Sequence, residues 1–538
     1  MKQTIFIFLF FCFFPQSYSQ EAFMYRLMLK DKGNPPFSTE HPEMFLSDKS
    51  IQRRAKQGFV VDSTDLPIDP SYFQAIANTG VEIRTSSKWV KTIVVYIPDS
   101  SFIFPLKNLP FIDTVYCVWK GSLPNQTSLR KENEAVQNTL ENNINSYGAG
   151  FTQISLNNGH LLHDAGFRGK GMTIAVIDGG FSNADLIDYF DFQKVKGIKN
   201  FNHEVDNPLR GGVDHGTKVL SCMLSNKPGE MIGTAPEAEY YLLRTEVDNE
   251  EYPVEEDYWV AALEYADSVG ADIVTSSLGY AYFDDSSMDH TQNQLDGKSV
   301  PISAAAGLAA SRGMLLFNSA GNEGNKAWEK IMFPGDAFNM LAIGAITGDS
   351  VRSYFSSVGY TADGRIKPDL MAMGTNAAVI GSAGQIVYSS GTSFSTPIMA
   401  GLSACLWQAL PELTSFKMIQ LLRETAGAFS HPDSLMGYGI ADVYKAYTQG
   451  KTGLKPIRKE NTVFFSIHPS ENRLYLNFKY SPNESKLVLN IYSTVGIKVL
   501  SVSDFSSSID ISSLPKGIYI ASLQMDNKSA TVQKFIKL

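Results

Sequence analysis

Residues 172–180, MTIAVIDGG, contain the run that decides the fold. The segment Met172–Ile177 is a continuous apolar run, typical of a strand buried on both faces of a parallel sheet. Similar runs recur at Tyr240–Leu243, Asp272–Val274, Gly313–Phe317 and Met340–Ile343, with helical patterns at Tyr258–Ser268 and Ala304–Ser311 between them. This alternation predicts an α/β domain with a mostly parallel sheet over residues 147–447.

Polar residues follow several of these runs, where the carboxyl ends of parallel strands place functional groups. Asp178 directly follows Met172–Ile177, and His215, in DHGT, stands at the start of an apolar helix. Asn322, in SAGNEG, follows the strand GMLLF. Ser393 belongs to SSGTSFSTP (389–397), which has six hydroxyl side chains and leads into a helix rich in small residues.

The order Asp, His, Ser is one of the known orders of a nucleophilic triad. A serine hydroxyl is a poor nucleophile until an imidazole removes its proton, and a carboxylate must orient that imidazole. An Asn amide and a helix N-terminal N–H can stabilise the oxyanion that forms. Taken singly, each residue has a structural interpretation as a turn, helix-start or loop residue, so the hypothesis depends on their combination.

The blocks AVIDGG, DHGT, SAGNEG and GTSFSTP resemble, in order, the four signature blocks of the subtilisin-like serine proteases. The resemblance implies a subtilisin-like sheet flanked by helices. It also implies that Ser393 attacks the scissile carbonyl, with His215 as general base and then acid. Asp178 would orient His215, and Asn322 would donate its amide to the oxyanion. The implied substrate-binding residues are Ser277, Leu278, Gly279, Ser319, Ala320 and Gly321.

The chain departs from the family pattern at positions that carry no proton-transfer group. Gly179 stands where a threonine is common, Lys218 where a second histidine is common, and Met373 where a proline is usual. Met332 falls where the family has the floor of its first specificity pocket. A side chain there predicts a preference for smaller substrate residues.

The N-terminal region has three predicted parts. Residues 1–19 resemble a secretory signal peptide, because Lys2 precedes an apolar run and a small-x-small cleavage site. Residues 20–120 stand where subtilases carry a pro-region, and we expect a small α/β pro-domain that assists folding and inhibits the enzyme. The polar segment 121–146 is predicted to be a cleavable linker.

The C-terminal region begins with a predicted basic linker, 448–461. Residues 462–538 then alternate with period two, which predicts an antiparallel β-sandwich. They resemble the C-terminal sorting domain of the Bacteroidetes type IX secretion system. The resemblance implies secretion, or attachment to the outer-membrane surface, with that machinery as a partner. A substrate-binding sandwich is the alternative.

Composition limits the remaining possibilities. A net charge of −9 without a long basic cluster argues against a nucleic-acid partner. Cys117, Cys222 and Cys405 lie among apolar neighbours and are predicted to be buried free thiols, with a Cys222–Cys405 bridge left open. No cofactor is expected and no metal ligand is assigned; structural calcium is left open because no dense Asp loop marks a site.

The main hypothesis is therefore a secreted serine endopeptidase that cleaves protein or peptide substrates through an acyl-enzyme. A catalytically silent surface-binding module of the same fold is the alternative from another class. An esterase is the third.

Overall fold

The computed structural model describes residues 22–121, 146–202, 207–210, 213–453, 464–468, 473–477, 487–493, 497–503, 508–525 and 528–537. The predicted signal peptide and nearly all of the predicted linker 121–146 lie outside the described residues. The chain divides into two compact units, Met1–Lys451 and Thr452–Leu538. Each unit is described by itself.

The centre of the first unit is a seven-stranded parallel sheet in the order β13-β12-β11-β10-β5-β9-β6. Its strands are β5 (Thr173–Asp178), β6 (Val195–Asn200), β9 (Glu239–Arg244), β10 (Ile273–Ser276), β11 (Leu315–Ser319), β12 (Met340–Ile346) and β13 (Leu370–Met373). Every residue of β5 is buried, as the apolar run predicts. Asp178 is the last residue of β5 and therefore lies at the carboxyl edge of the sheet.

The observed strands differ from the predicted ones by at most three residues at either end, the largest difference being the end of β12, at Ile346 instead of Ile343. Strand β11 begins at Leu315 because Gly313 has φ 85°, a left-handed conformation that belongs to the preceding turn. Helix α7 (Val254–Ser268) begins four residues before the predicted Tyr258. Its first turn is acidic, with Glu255, Glu256 and Asp257, which interrupts the apolar pattern but favours a helix N-terminus.

Helices cover both faces of the sheet, and two apolar clusters fill the space between them. Besides α7 these helices are α4 (Phe151–Ser155), α5 (Gly159–Asp164), α6 (His215–Leu224), α8 (Pro301–Ala310), α9 (Thr392–Ala409), α10 (Ser415–Glu424) and α11 (Val443–Gly453). Short strand pairs complete the unit: β7 (Asn226–Lys227) with β8 (Met231–Ile232), and β14 (Ala377–Ile380) with β15 (Ile386–Ser389). Helix α11 extends into the start of the predicted linker 448–461.

Residues 22–121 form the predicted N-terminal α/β domain. Its antiparallel sheet has the order β2-β3-β1-β4. The elements are β1 (Ala22–Leu29), α1 (Asp48–Gln57), α2 (Pro70–Ala77), β2 (Glu82–Ser87), β3 (Thr92–Ile97), α3 (Ile103–Lys107) and β4 (Ile112–Gly121). A separate apolar core, including Leu27, Ile76 and Ile93, lies between the sheet and its helices.

The other face of this small sheet packs on the large domain. Met24 and Trp119 share an apolar cluster with Tyr258 and Trp259 of α7. Buried ion pairs also cross the contact, where Arg53 and Arg54 of α1 both bind Asp267 of α7. The Arg54–Asp267 distance is 2.6 Å, and Asp267 is fully buried. The N-terminal domain is therefore bound to α7 by both apolar and ionic contacts.

The second unit contains two antiparallel sheets, as predicted for residues 462–538. They comprise β16 (Phe464–His468), β17 (Arg473–Asn477), β18 (Leu487–Ser493), β19 (Lys498–Ser503), β20 (Ser508–Asp510), β21 (Gly517–Met525) and β22 (Lys528–Lys537). Leu474 and Ile509 of one sheet share a buried cluster with Leu489, Ile491 and Phe535 of the other. The cluster between the sheets makes this unit a small sandwich.

The three described cysteines are free thiols. Cys222 and Cys405 are buried as predicted, and Cys405 Sγ donates to the carbonyl of Thr234 at 3.1 Å. Cys117 was predicted to be buried but is partly exposed, because it lies on a strand whose side chains alternate between core and surface. Within the described residues, none of the helices is both long and apolar enough to cross a bilayer.

Candidate active site

Asp178 and His215 form a close pair at the carboxyl edge of the sheet. Oδ1 of Asp178 lies 2.7 Å from Nδ1 of His215 and also accepts the N–H of Gly179 at 2.8 Å. The Asp178 side chain is fully buried, whereas the His215 side chain is 27% exposed. A proton on Nδ1 donated to the carboxylate makes Nε2 the basic nitrogen of the imidazole.

Ser393 is the second residue of helix α9, and its backbone is held by Ser277. The helix contains Pro397, which has no N–H to donate to the carbonyl four residues earlier, that of Ser393. The hydroxyl of Ser277 donates to this carbonyl at 2.8 Å. The Ser393 hydroxyl in turn donates to the Ser277 carbonyl at 3.4 Å. Because α9 begins at Thr392, Pro397 lies in its second turn.

Asn322 is anchored to the same helix start. Its Oδ1 accepts hydrogen bonds from the N–H of Thr392 at 2.9 Å and from the Thr392 hydroxyl at 3.0 Å. The Thr392 hydroxyl also accepts the N–H of Gly321 at 3.2 Å. With Oδ1 occupied, the side-chain amide nitrogen of Asn322 is the group available to an oxyanion beside Ser393.

The predicted substrate-binding segments follow β10 and β11 and contact each other. The Leu278 carbonyl accepts hydrogen bonds from Asn318 Nδ2 at 3.0 Å and from the Ser319 hydroxyl at 3.1 Å. Leu278 and Gly279 are partly exposed, whereas Ser277, Ser319 and Ala320 are buried. Of the six residues, Leu278 and Gly279 are therefore the more accessible, and the buried ones support the backbone of the edge.

Met332 lies between the glycines of these two segments. A Cβ atom placed on Gly279 would be 2.9 Å from Met332 Cβ, and one placed on Gly321 would be 2.8 Å from Met332 Cγ. The Met332 N–H also donates to the carbonyl of Ala320 at 3.1 Å. The partly exposed Met332 side chain thus fills the space that two glycines leave between the predicted substrate segments.

Lys218 lies in α6, at the position where the family pattern commonly has a second histidine. Its side chain is 4% exposed, and its Nζ lies 3.1 Å from Asp214 Oδ1, one helical turn away. At this position the helix that carries His215 therefore has a lysine paired with Asp214 instead of an imidazole.

A group of carboxylates lies beside the Asp178–His215 pair and was not predicted from the sequence. The carboxylate oxygens of Glu246, Glu251 and Glu255 lie within 4.8 Å of one another. Burial raises the pKa of Glu246 to about 7 and that of Glu251 to about 9. The acidic stretch TEVDNEEYPVEE directly after β9 was the available signal.

The geometry defines a class: an α/β protein with a close Asp-His pair at the carboxyl edge of a parallel sheet and Ser393 in the first turn of helix α9. The family model described as "Subtilase family" matches residues 169–439, half of the chain, and the chain therefore belongs to that family. The predicted fold class is confirmed. A model for the Bacteroidota peptidase S8 propeptide domain matches residues 24–137. A secretion-system C-terminal sorting domain matches residues 468–538, which confirms the prediction that the protein is secreted or attached to the cell surface.

Individual relatives agree with the family match. The chain is 28% identical over 273 residues to Subtilisin NAT of Bacillus subtilis subsp. natto, covering 49% of this chain and 63% of that protein. It is 27% identical over 293 residues to Subtilisin of Bacillus pumilus, covering 53% of this chain and 94% of that protein. The crystal structure of the epidermin leader peptide processing serine protease from Staphylococcus aureus aligns with TM-score 0.55 and 16% identity, over 79% of this chain and 99% of that one. That likeness concerns the fold alone.

Proposed function

We propose that this protein is a serine endopeptidase that hydrolyses peptide bonds through an acyl-enzyme. The observation that carries the proposal is the 2.7 Å contact between Asp178 and His215, whose ring centroid lies 6.1 Å from that of Phe394, the residue after Ser393. The buried carboxylate holds the imidazole in the orientation that a general base requires. A binding module would not need a charged carboxylate buried against a histidine at this point.

The reaction takes place in two halves. Nε2 of His215 removes the proton of the Ser393 hydroxyl as Oγ attacks the scissile carbonyl carbon. The oxyanion receives hydrogen bonds from the Asn322 amide and the Ser393 N–H, while the imidazolium stays bonded to Asp178. The C–N bond then breaks, and His215 gives its proton to the leaving amine. Water, deprotonated by His215, attacks the acyl-enzyme and releases the acid and the serine.

The substrate would lie extended beside the segment Leu278–Gly279 and pair with its backbone, as an added β-strand. The side chain next to the scissile bond would enter the space bounded by Gly279, Gly321 and Met332. Because Met332 already fills part of this space, small side chains such as Ala or Ser would fit better than Phe or Leu. We therefore propose small-residue specificity at this position.

Two partners follow from the flanking domains. The N-terminal domain would inhibit the enzyme until the linker 121–146 is cut, and its contact with α7 supports this role. The type IX secretion machinery would recognise the C-terminal domain.

The test compares the matured wild-type chain with Ser393→Ala on casein and on a small ester. The proposal predicts that the wild type cleaves both and the variant neither. Hydrolysis of the ester with casein untouched would favour an esterase. Loss of neither activity in Ser393→Ala would contradict the assignment of the nucleophile.

A further inference from the structure

Glu246 lies beside the strand end that carries Asp178. Strands β5 and β9 are parallel neighbours, and Asp178 pairs with Arg244 in their register. The Thr245 N–H donates to the backbone carbonyl of Asp178 at 3.2 Å. Glu246, the next residue, is therefore held close to the pair formed by Asp178 and His215.

The side chain of Glu246 packs over Gly179. A Cβ atom on Gly179 would meet Glu246 Cγ at 3.6 Å and Cβ at 3.7 Å, an ordinary contact distance. The Gly179 N–H is itself a donor to the carboxylate of Asp178. The position where the family commonly has a threonine is thus covered in this chain by the stem of an acidic residue.

The carboxylate of Glu246 is held in place by hydroxyl groups. Oε1 accepts the Tyr280 hydroxyl at 2.7 Å and the Thr245 hydroxyl at 3.0 Å. The Glu246 backbone is anchored as well, because its carbonyl accepts a hydrogen bond from Asn202 Nδ2. Among the described residues, these side-chain partners are neutral. Asp178 Oδ2 is buried there without a hydrogen-bond partner, so the donors to this carboxylate, His215 and the Gly179 N–H, both bind Oδ1.

The groups that face Glu246 come from each neighbouring element. Asp178 of β5, His215 of α6 and the Tyr280 hydroxyl after β10 act on it, and Glu251 and Glu255 lie in the same carboxylate group. Burial and the charge of Asp178 raise the pKa of Glu246, whereas His215 acts in the opposite direction. Glu246 therefore changes charge in the pH range in which an imidazole does.

We infer that Glu246 is a positioning residue whose negative charge, acting through the Asp178–His215 pair, stabilises the protonated imidazole of His215. The inference rests on the proposed peptidase function. The imidazolium forms as Ser393 is deprotonated, so a nearby negative charge favours that step. The same charge keeps His215 protonated to higher pH in the free enzyme. The acid limb of the pH profile of kcat/KM therefore moves to higher pH.

The test is the pH profile of kcat/KM for the matured full chain on a peptide substrate, comparing Glu246→Gln with the wild type. Because glutamine carries no charge, the acid limb should move to lower pH by roughly half a unit, and kcat on the plateau should fall about threefold. Tyr280→Phe removes one hydrogen bond that favours the ionised carboxylate, so it should shift the limb in the same direction by less.

Glu239→Gln is the matched control, because Glu239 lies at the opposite end of the same strand, β9. It should leave the limb unchanged. The inference would be overturned if the acid limb stayed in place or moved to higher pH in both Glu246→Gln and Tyr280→Phe. If Glu246→Gln does not fold, the acid limb of Tyr280→Phe alone decides the inference. An equal shift in Glu239→Gln would also overturn it. The inference would also be overturned if EDTA shifted the acid limb of the wild type as far as Glu246→Gln does, because a bound cation would then determine the position of that limb. An inactive wild type would refute the proposed function instead.

Discussion

The hydroxyl of Ser277 lies 2.8 Å from the backbone carbonyl of Ser393 and donates to it in place of the N–H that Pro397 lacks. Because of Pro397, the carbonyl of Ser393 lacks the usual hydrogen bond within the helix. Ser277, at the substrate-binding edge, supplies a hydrogen bond to this carbonyl instead. The two elements that must meet around a substrate are therefore joined by two reciprocal hydrogen bonds, each from a serine hydroxyl to the backbone carbonyl of the other serine.

Replacing Ser277 by alanine should leave the Ser393 carbonyl buried without its donor. We expect the unfolding midpoint of the full chain to fall by about 2–4 °C, measured in the Ser393→Ala background to prevent self-digestion. Pro397→Ala restores a backbone N–H at the position that can serve this carbonyl. The loss caused by Ser277→Ala should then shrink in the double variant, and an equal loss in both backgrounds would contradict the role given to Ser277.

Asn322 should contribute mainly to kcat. Asn322→Ala removes the amide donor, and we expect kcat to fall by about 10²–10³, a value taken from subtilisin itself, with little change in KM. Asn322→Asp keeps the oxygen that Thr392 binds but has no N–H, so its kcat should fall at least as far. If Asn322→Asp kept wild-type turnover, the side chain would serve only to hold the helix start.

Met332 should limit the size of the side chain accepted next to the scissile bond. Met332→Ala should raise kcat/KM for peptides with Phe at this position about tenfold relative to peptides with Ala, because the pocket gains volume. The measurement compares two matched peptides on each enzyme. A wild type that already prefers Phe, or a variant with an unchanged ratio, would show that Met332 lies outside the pocket.

Asp267 should hold the N-terminal domain on the peptidase domain. It binds both Arg53 and Arg54 in a buried contact, and removing one partner of such a group costs about 3–5 kcal/mol. In the Ser393→Ala chain, Asp267→Ala should accelerate hydrogen exchange of buried amides in β1 and β3 by about 10²-fold or more.

The matched comparison for Asp267→Ala is Lys49→Ala. Lys49 pairs with Asp272 at 3.0 Å across the same contact, but its side chain is 40% exposed. Exposed pairs contribute about 1 kcal/mol or less, so exchange in β1 and β3 should change little. An effect of Lys49→Ala as large as that of Asp267→Ala would contradict the importance given to the buried pairs.

The sequence was sufficient to predict five of the seven strands, because β5, β9, β10, β11 and β12 contain apolar runs; β6 and β13 were not predicted. It was not sufficient for contacts that depend on tertiary packing. Glu246 belongs to an acidic stretch that resembles a solvated loop, and only the pairing of β9 with β5 brings it to Asp178. The bond from Ser277 to Ser393 likewise joins residues 116 positions apart.

The assignment of Ser393 as the nucleophile is tested by treating the matured wild-type chain with a fluorophosphonate and mapping the modified residue by peptide mass spectrometry. The stretch 389–397 offers six hydroxyl groups. This assignment predicts a single adduct on Ser393, absent from Ser393→Ala and strongly reduced in His215→Ala. Absence of label on the wild type, or an adduct on any other hydroxyl of this stretch, would contradict it.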